Sequence, residues 1–324
     1  MVTGGAGYIG SALVSQLLAA GYRVRTIDNL IHGGMSLLPF ISHARFELQT
    51  GDIRNRADLE KALDGATAVV HLAAIVGDPA CRDNPDLARQ TNADGSNLLC
   101  DAVIAKKISR FIFASTCSNY GKMEDPKGYV DEDSPLKPIS LYAETKVGFE
   151  QYLIERASSE FCPIILRFAT AYGLSPRPRF DLTVNEFTRD LAMGRKLEIF
   201  GESFWRPYCH VTDLAHACRL ALESKKEGLG GRAFNIGTTD ENYTKRMLAD
   251  HICTELGSGA ELISYVQRGT DPRDYRVNFK RVKTTFGFTA SRSVPDGIRE
   301  VISAIRTGLI NNPYDKWYHN IYAS

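Results

Sequence analysis

The first ten residues, MVTGGAGYIG, constrain this chain more than any other stretch. Gly5, Gly7 and Gly10 spell G-x-G-x-x-G, and from Gly4 the same run reads G-x-x-G-x-x-G. Residues 1–3 read as the end of a strand, and residues 11–20 carry Leu13, Leu17 and Leu18 at helical spacing. Glycines between a strand and a helix let the backbone turn tightly and let a pyrophosphate approach it. The helix N-terminus behind them offers unpaired N–H groups and the positive end of a dipole. The pattern is weak alone and strong in this strand–turn–helix setting. Gly4, Gly7 and Gly10, with Tyr8 and Ile9 between them, are the candidate cradle.

The first half of the chain continues the rhythm. Strands are expected at 23–28, 45–49, 68–73, 110–115 and 163–168, with helices at 86–106 and 142–158. Such alternation predicts a Rossmann-type doubly wound parallel sheet covered on both faces. After about residue 172 the rhythm breaks at Pro176 and Pro178. Helices are expected at 183–193, 213–223, 244–256 and 296–309, and short strands at 196–200, 233–236 and 261–265. The division read from this is a dinucleotide-binding domain over 1–172 and a smaller α/β substrate-binding part over 173–324, with some of its elements returning to the first sheet.

Asp28 closes the second expected strand, where a carboxylate can accept hydrogen bonds from a ribose 2′-hydroxyl and would repel a 2′-phosphate. NAD is therefore expected rather than NADP. Asn29 follows it directly. Asp52 and Ile53 follow the third strand, within reach of an adenine, and Leu72, Ala73 and Ala74 end the fourth, where small residues leave room for a cofactor.

Tyr142 and Lys146 stand four apart at the start of an expected helix and so share a face. A phenol ordinarily titrates near pH ~10. A neighbouring ammonium stabilises the phenolate, which can then take a hydroxyl proton while hydride leaves the same carbon. Thr116 ends the fifth strand and can hold the substrate oxygen near that phenol. A Y-x-x-x-K alone arises by chance in many helices; its position after this strand gives it weight.

Together these pieces resemble the nucleotide-sugar epimerase/dehydratase branch of the extended short-chain dehydrogenases/reductases. The resemblance is carried by the glycine loop, Asp28, FIFAST with Tyr120-Gly121 after it, Tyr142/Lys146 and Leu166-Arg167-Phe168, and it runs over nearly the whole chain. It implies that Thr116, Tyr142 and Lys146 are catalytic and that Asn92 is a cofactor-side residue. Phe168 and Thr170 would lie beside the nicotinamide and the sugar. Arg206 in RPYCHVTDLA and Arg273 in DPRDY would meet the substrate diphosphate, two guanidiniums suiting a pyrophosphate. Asn185 matches a position that meets the diphosphate or sugar; Arg177 and Arg179 are weaker candidates. Homodimers form in this family through the two helices expected at 86–106 and 142–158.

The family's 4,6-dehydratases carry an acidic pair directly after the catalytic hydroxyl, where this chain has Cys117 and Ser118. Its 3,5-epimerases and related reductases place a Cys where Ser118 stands. Dehydration is therefore disfavoured, and Cys117 reads as structural. A C4 epimerase and a net C4 dehydrogenase remain. The phrases AAIVGDPAC, SPRPRFDLTVNEFT, DENYTKRMLAD and DPRDYRV look like GDP-heptose 4-dehydrogenase type enzymes of bacterial surface-polysaccharide pathways. A catalytically silent NAD(H)-binding sensor or scaffold is the reading from another class, and an intact Thr116/Tyr142/Lys146 set argues against it.

Composition bounds the partners. The 324 residues hold 39 Lys plus Arg against 38 Asp plus Glu. This near-neutral balance lacks the basic excess of a nucleic-acid binder. No apolar run approaches the ~18 residues of a membrane span, and no start-of-chain leader pattern is read. The seven cysteines form no C-x-x-C pair, so no metal is expected and reduced thiols in a cytoplasmic protein are. The expected ligands are NAD and a GDP- or UDP-linked sugar.

Overall fold

The computed structural model describes residues 1–125, 127–266 and 273–320. Its elements run β1 (Val2–Thr3), α1 (Tyr8–Ala19), β2 (Val24–Asp28), β3 (Phe46–Thr50), α2 (Arg56–Ala62), β4 (Ala68–His71), α3 (Asp78–Asp83), α4 (Pro85–Arg89), α5 (Ser96–Ala105), β5 (Arg110–Thr116), α6 (Leu141–Arg156) and β6 (Cys162–Phe168). They continue β7 (Thr170–Tyr172), α7 (Thr183–Ala192), β8 (Leu197–Phe200), β9 (Trp205–His210), α8 (Val211–Glu223), β10 (Arg232–Ile236), β11 (Asn242–Thr244), α9 (Lys245–Leu256), β12 (Ile263–Val266), α10 (Lys280–Phe286) and α11 (Val294–Arg306).

Seven strands form one parallel sheet in the order β3-β2-β1-β4-β5-β6-β10. This is the doubly wound Rossmann arrangement, with its order reversing between β1 and β4. Burial on both faces explains the unbroken apolar strands. All seven residues of β5 are buried. Successive side chains of β5 enter opposite cores: Ile112 and Ala114 pack with Leu13, Val14 and Leu17 of α1, whereas Phe111 and Phe113 pack with Phe149 and Leu153 of α6. A third core, built on Tyr172, Val184, Tyr208, Leu248 and Ile298, sits in the later part of the chain.

Several local readings differ from the structure. The helix expected at 86–106 starts at Pro85 and contains a π-helical turn, Gln90–Gly95, before α5; the short α3 precedes it. That wide turn lets the Asn92 side chain bond the Ile75 backbone. Helix α2 was not expected, although Asn55 caps it by accepting from Ala57 N at 2.9 Å and Asp58 N at 3.4 Å. Helix α11 begins two residues before the expected Asp296, at a capping box between Ser293 and Asp296. A three-stranded sheet β11-β9-β7 also went unread, its strands being short and Pro207 interrupting the pattern of β9. Asp271 and Pro272 of DPRDY lie outside the described residues. Among those described, no helix is long and apolar enough to cross a membrane and no cluster could hold a metal ion. All seven cysteine thiols are free.

Candidate active site

A cleft of about 1730 Å³, counting its open mouth, lies outside the carboxyl ends of the strands at the β1/β4 reversal.

At one end is the glycine loop. Gly4 has φ +70°, and a Cβ there would stand 2.8 Å from Ala73 N. A Cβ on Gly10 would stand 2.1 Å from the Gly4 carbonyl oxygen. Only glycine closes this turn, and Gly7, Tyr8 and Ile9 complete the wall where α1 starts. Asp28 lies beside it at the end of β2. Its Oδ2 accepts from Ala6 N and its Oδ1 from Leu30 N, both at 2.9 Å, and burial pushes its carboxyl upward. Asn29, Asp52 and Ile53 line the same end, as do Leu72, Ala73 and Ala74. Burial alone would raise the Asp52 carboxyl, but the Arg54 guanidinium, donating at 3.0 and 2.7 Å, holds it below its usual range. A side-chain-free cradle at a helix N-terminus, with a carboxylate at the end of β2, fits a dinucleotide without a 2′-phosphate.

At the other end stand Thr116, Tyr142 and Lys146, with Phe168 and Thr170. Thr116 ends β5, and its Oγ1 accepts from Ser118 N at 3.1 Å, so its own proton is available to a ligand oxygen. Ser140 caps α6 by accepting from Ala143 N at 3.3 Å, which sets Tyr142 and Lys146 in the first turns. Lys146 Nζ donates to the Ala114 carbonyl at 2.8 Å and lies 4.7 Å from the Phe113 ring centre and 5.9 Å from that of Tyr142. The residue is 4% exposed, and burial pushes its ammonium down to about 8.

Arg273, Arg177 and Arg179 also line the cleft. Arg273 pairs with Asp78, whose other oxygen accepts from Ser140 Oγ at 2.7 Å. Arg177 bonds Asn320 at 2.6 Å, and Arg179 forms a two-pronged pair with Asp181 at 2.9 and 2.6 Å.

Three of the expected contact residues are not among those that line this cleft. The Asn92 amide is spent on the Ile75 backbone, accepting at 2.8 Å and donating at 2.9 Å, so it shapes the cleft through Ile75. Asn185 is fully buried and ties Gly173 to Arg179, donating to their carbonyls at 2.9 and 2.8 Å. Arg206 donates to the Trp205 carbonyl at 2.6 Å and lies 5.1 Å from the Tyr275 ring centre; Tyr275, not Arg206, faces the cleft. Cys117 is also turned away: its Sγ donates to the Arg167 carbonyl at 3.2 Å, and burial pushes the thiol well up. Sequence reading missed Tyr275, Asp78, His32 and Asn320 as wall residues. Tyr275 and Asp78 sit inside phrases already singled out; His32 and Asn320 reach the cleft only through tertiary packing.

The sequence profile of the NAD dependent epimerase/dehydratase family matches residues 1–237. A dTDP-glucose 4,6-dehydratase of Streptomyces niveus is 28% identical over 321 residues, covering 94% of this chain and 92% of that one. A UDP-glucose 4-epimerase of Rhizobium meliloti is 32% identical over 270 residues, covering 76% and 79%. The crystal structure of a dTDP-glucose 4,6-dehydratase from Streptomyces venezuelae with NAD bound superposes with a TM-score of 0.84 at 27% identity, covering 94% of this chain and 96% of that one.

Proposed function

The chain belongs to the NAD-dependent epimerase/dehydratase family, and we propose that it removes hydride from C4 of a GDP- or UDP-linked sugar in surface-polysaccharide sugar biosynthesis. The observation that carries this reading is the convergence of Thr116, Tyr142 and Lys146 in one cleft with the glycine loop and Asp28.

NAD, when bound, supplies the hydride acceptor. The Thr116 hydroxyl donates to the C4 oxygen and orients it. Tyr142 takes the proton of the C4 hydroxyl as the C–H bond breaks and a carbonyl forms. The Lys146 ammonium, close to the Tyr142 ring, stabilises the phenolate form of Tyr142 that takes this proton. Arg273 offers a cation to the substrate diphosphate, while Arg177 and Arg179 stand towards the Asp28 end of the cleft. In this reading residues 1–172 hold NAD and 173–324 mainly hold the sugar nucleotide.

Eliminating water from the ketosugar needs an acid beside Thr116. Cys117 faces the core and Ser118 presents only a hydroxyl, which supports hydride chemistry without dehydration. Two outcomes of the same first step follow. The ketosugar turns and takes hydride back on its other face, giving the C4 epimer, or it leaves as the product of a net 4-dehydrogenase. The phrases that resemble GDP-heptose 4-dehydrogenase type enzymes favour the second.

Tyr142→Phe tests the reading. The variant is expected to bind NAD with wild-type affinity and to lose turnover by ~100-fold or more. Full activity in this variant would refute the assignment of the base; a wild-type protein that binds NAD and turns over no sugar nucleotide would make the fold a sensor or scaffold. The pair of helices α5 and α6, with Ile104 and Ile154 exposed, is the expected homodimer face, and a monomer in gel filtration would contradict it.

A further inference from the structure

We infer that Glu150 is a positioning residue of this site, one buried carboxylate that holds the segments bearing Thr116, Tyr142 with Lys146, and Phe168 in a single register. The inference rests on the reading of Thr116, Tyr142 and Lys146 as the reacting groups.

Glu150 follows Lys146 by one turn of α6 and Tyr142 by two, so the three share a face. It is 2% exposed, and it does not line the cleft. Its Oε1 accepts from Ser115 Oγ and, at 2.8 Å, from Asn119 Nδ2. Arg167 grips both oxygens, Nε donating at 3.2 and 3.1 Å and Nη2 at 2.7 Å. Each partner adjoins a working residue. Ser115 precedes Thr116 in β5. Asn119 lies in the turn Cys117–Tyr120, which Thr116 caps. Arg167 precedes Phe168 in β6. The chain of bonds continues from Arg167 Nη1 to the Tyr120 hydroxyl at 3.1 Å and from that hydroxyl to Asn235 Oδ1 at 2.8 Å, reaching β10.

A buried ion pair adds little net stability against an apolar pair of the same shape, because desolvation cancels most of the attraction. What this carboxylate does, and an apolar side chain cannot, is accept from three segments at once while standing on the helix that carries Tyr142. A displacement of about 1 Å between reacting groups lowers rates by as much as ~100-fold, so such a tie has kinetic leverage.

Its charge has a second effect. The groups facing Lys146 are Cys81 from α3, His71 from β4, the Phe113 ring and Ala114 carbonyl from β5, and Tyr142 and Glu150 on α6 itself, with Arg167 behind Glu150. Burial drives the Lys146 proton off; the Glu150 carboxylate works to keep it on, and the Cys81 thiol, pushed up to about 11 by burial, is neutral where Lys146 titrates. His71 is held neutral, pushed down to about 3 by burial and by the Lys146 charge.

The experiment compares Glu150→Gln with wild type and with Tyr142→Phe, on whichever of UDP-glucose, GDP-mannose and dTDP-glucose the wild type turns over fastest. Glu150→Gln is expected to keep NAD affinity and KM within about threefold and to lose kcat by ~10–100-fold. The alkaline limb of its rate profile, set by loss of the Lys146 proton, is expected to move about one pH unit lower. A substrate-free readout accompanies this. The pH above which the ligand-free protein gains thermal stability, about 8 in wild type, is expected to fall by the same amount. Should Glu150→Gln fail to fold because Arg167 is left unpaired, the double variant Glu150→Met/Arg167→Met removes both charges and is expected to bind NAD and to show the same loss of kcat, with a smaller fall in the stability onset because the Arg167 cation is gone as well. A foldable variant with wild-type kcat, limb and onset overturns the role of Glu150. If Tyr142→Phe retains activity, the reading of the site itself is at fault; if Tyr142→Phe is dead and the Glu150 variant is unimpaired, only this inference fails.

Discussion

Lys146 is held as a buried ammonium, and replacing it by Met separates catalysis from stability. Burial brings its pKa from the ordinary 10.5 down to about 8. At pH 7 the charged form therefore costs the folded state roughly 3 kcal/mol relative to a neutral amine. Met matches the unbranched stem and carries no charge. It gives up the 2.8 Å bond to the Ala114 carbonyl, which returns about 1–2 kcal/mol of that gain. The expected net effect of Lys146→Met at pH 7 is a stabilisation of ~1–2 kcal/mol, a rise of about 2–3 °C in Tm for a chain of this length, together with a loss of kcat of ~100-fold or more. The pH dependence fixes the cause. Because the folded pKa lies below the unfolded one, the wild-type deficit is full below about pH 8. It is relieved as the pH rises from there towards 10.5, where the unfolded chain also loses its proton. Thermal unfolding of ligand-free wild type and variant across pH 7 to 10.5 reads this directly. The advantage of the variant shrinks as pH rises if burial of this charge is the reason. A variant that melts below wild type at pH 7, or an advantage that does not change with pH, refutes the reasoning.

Gly10→Ala places a methyl 2.1 Å from the Gly4 carbonyl oxygen and 2.7 Å from Gly5 Cα, both backbone atoms. Overpacking of this kind costs about 1–3 kcal/mol, and a loop spread to relieve it should bind NAD at least ~10-fold more weakly in a fluorescence titration; wild-type affinity would mean the loop is not the cradle. Cys117→Ala is expected to keep kcat within about threefold, and the wild-type thiol is expected to resist alkylation under native conditions, since it is 1% exposed and burial holds it well above its usual range. Loss of turnover in Cys117→Ala would bring that sulfur into the chemistry.

The parts of this protein that sequence reveals are those where local chemistry and position coincide. The glycine loop, Asp28 and the Tyr142/Lys146 pair each need one residue type at one place along an element, so they stand out in the linear chain, and the structure gathers them in one cleft. Asn92, Asn185 and Arg206 matched family positions but do not line the cleft. A side chain's direction depends on the π-helical turn around Asn92, on the loop that Asn185 pins, and on the Trp205 carbonyl and Tyr275 ring that Arg206 meets. None of these is written in spacing. The Glu150 hub was illegible for a similar reason: its three partners lie 17 to 35 residues away in sequence. The strands β7 and β11, three residues each, are too short to carry a period, and Pro207 interrupts that of β9.

The central claim is hydride removal from C4 of a nucleotide-linked sugar. It is tested most directly by supplying the purified protein with NAD⁺ and a panel of GDP-, UDP-, CDP- and dTDP-sugars that includes heptoses. Reduced nicotinamide is followed by absorbance, and products are identified by mass and NMR. The account predicts that one member of the panel is changed at C4. The product either keeps its mass with C4 inverted and no lasting NADH, or is lighter by two hydrogens with NADH in equal amount. A product lighter by one water, or oxidation at another carbon, would contradict it.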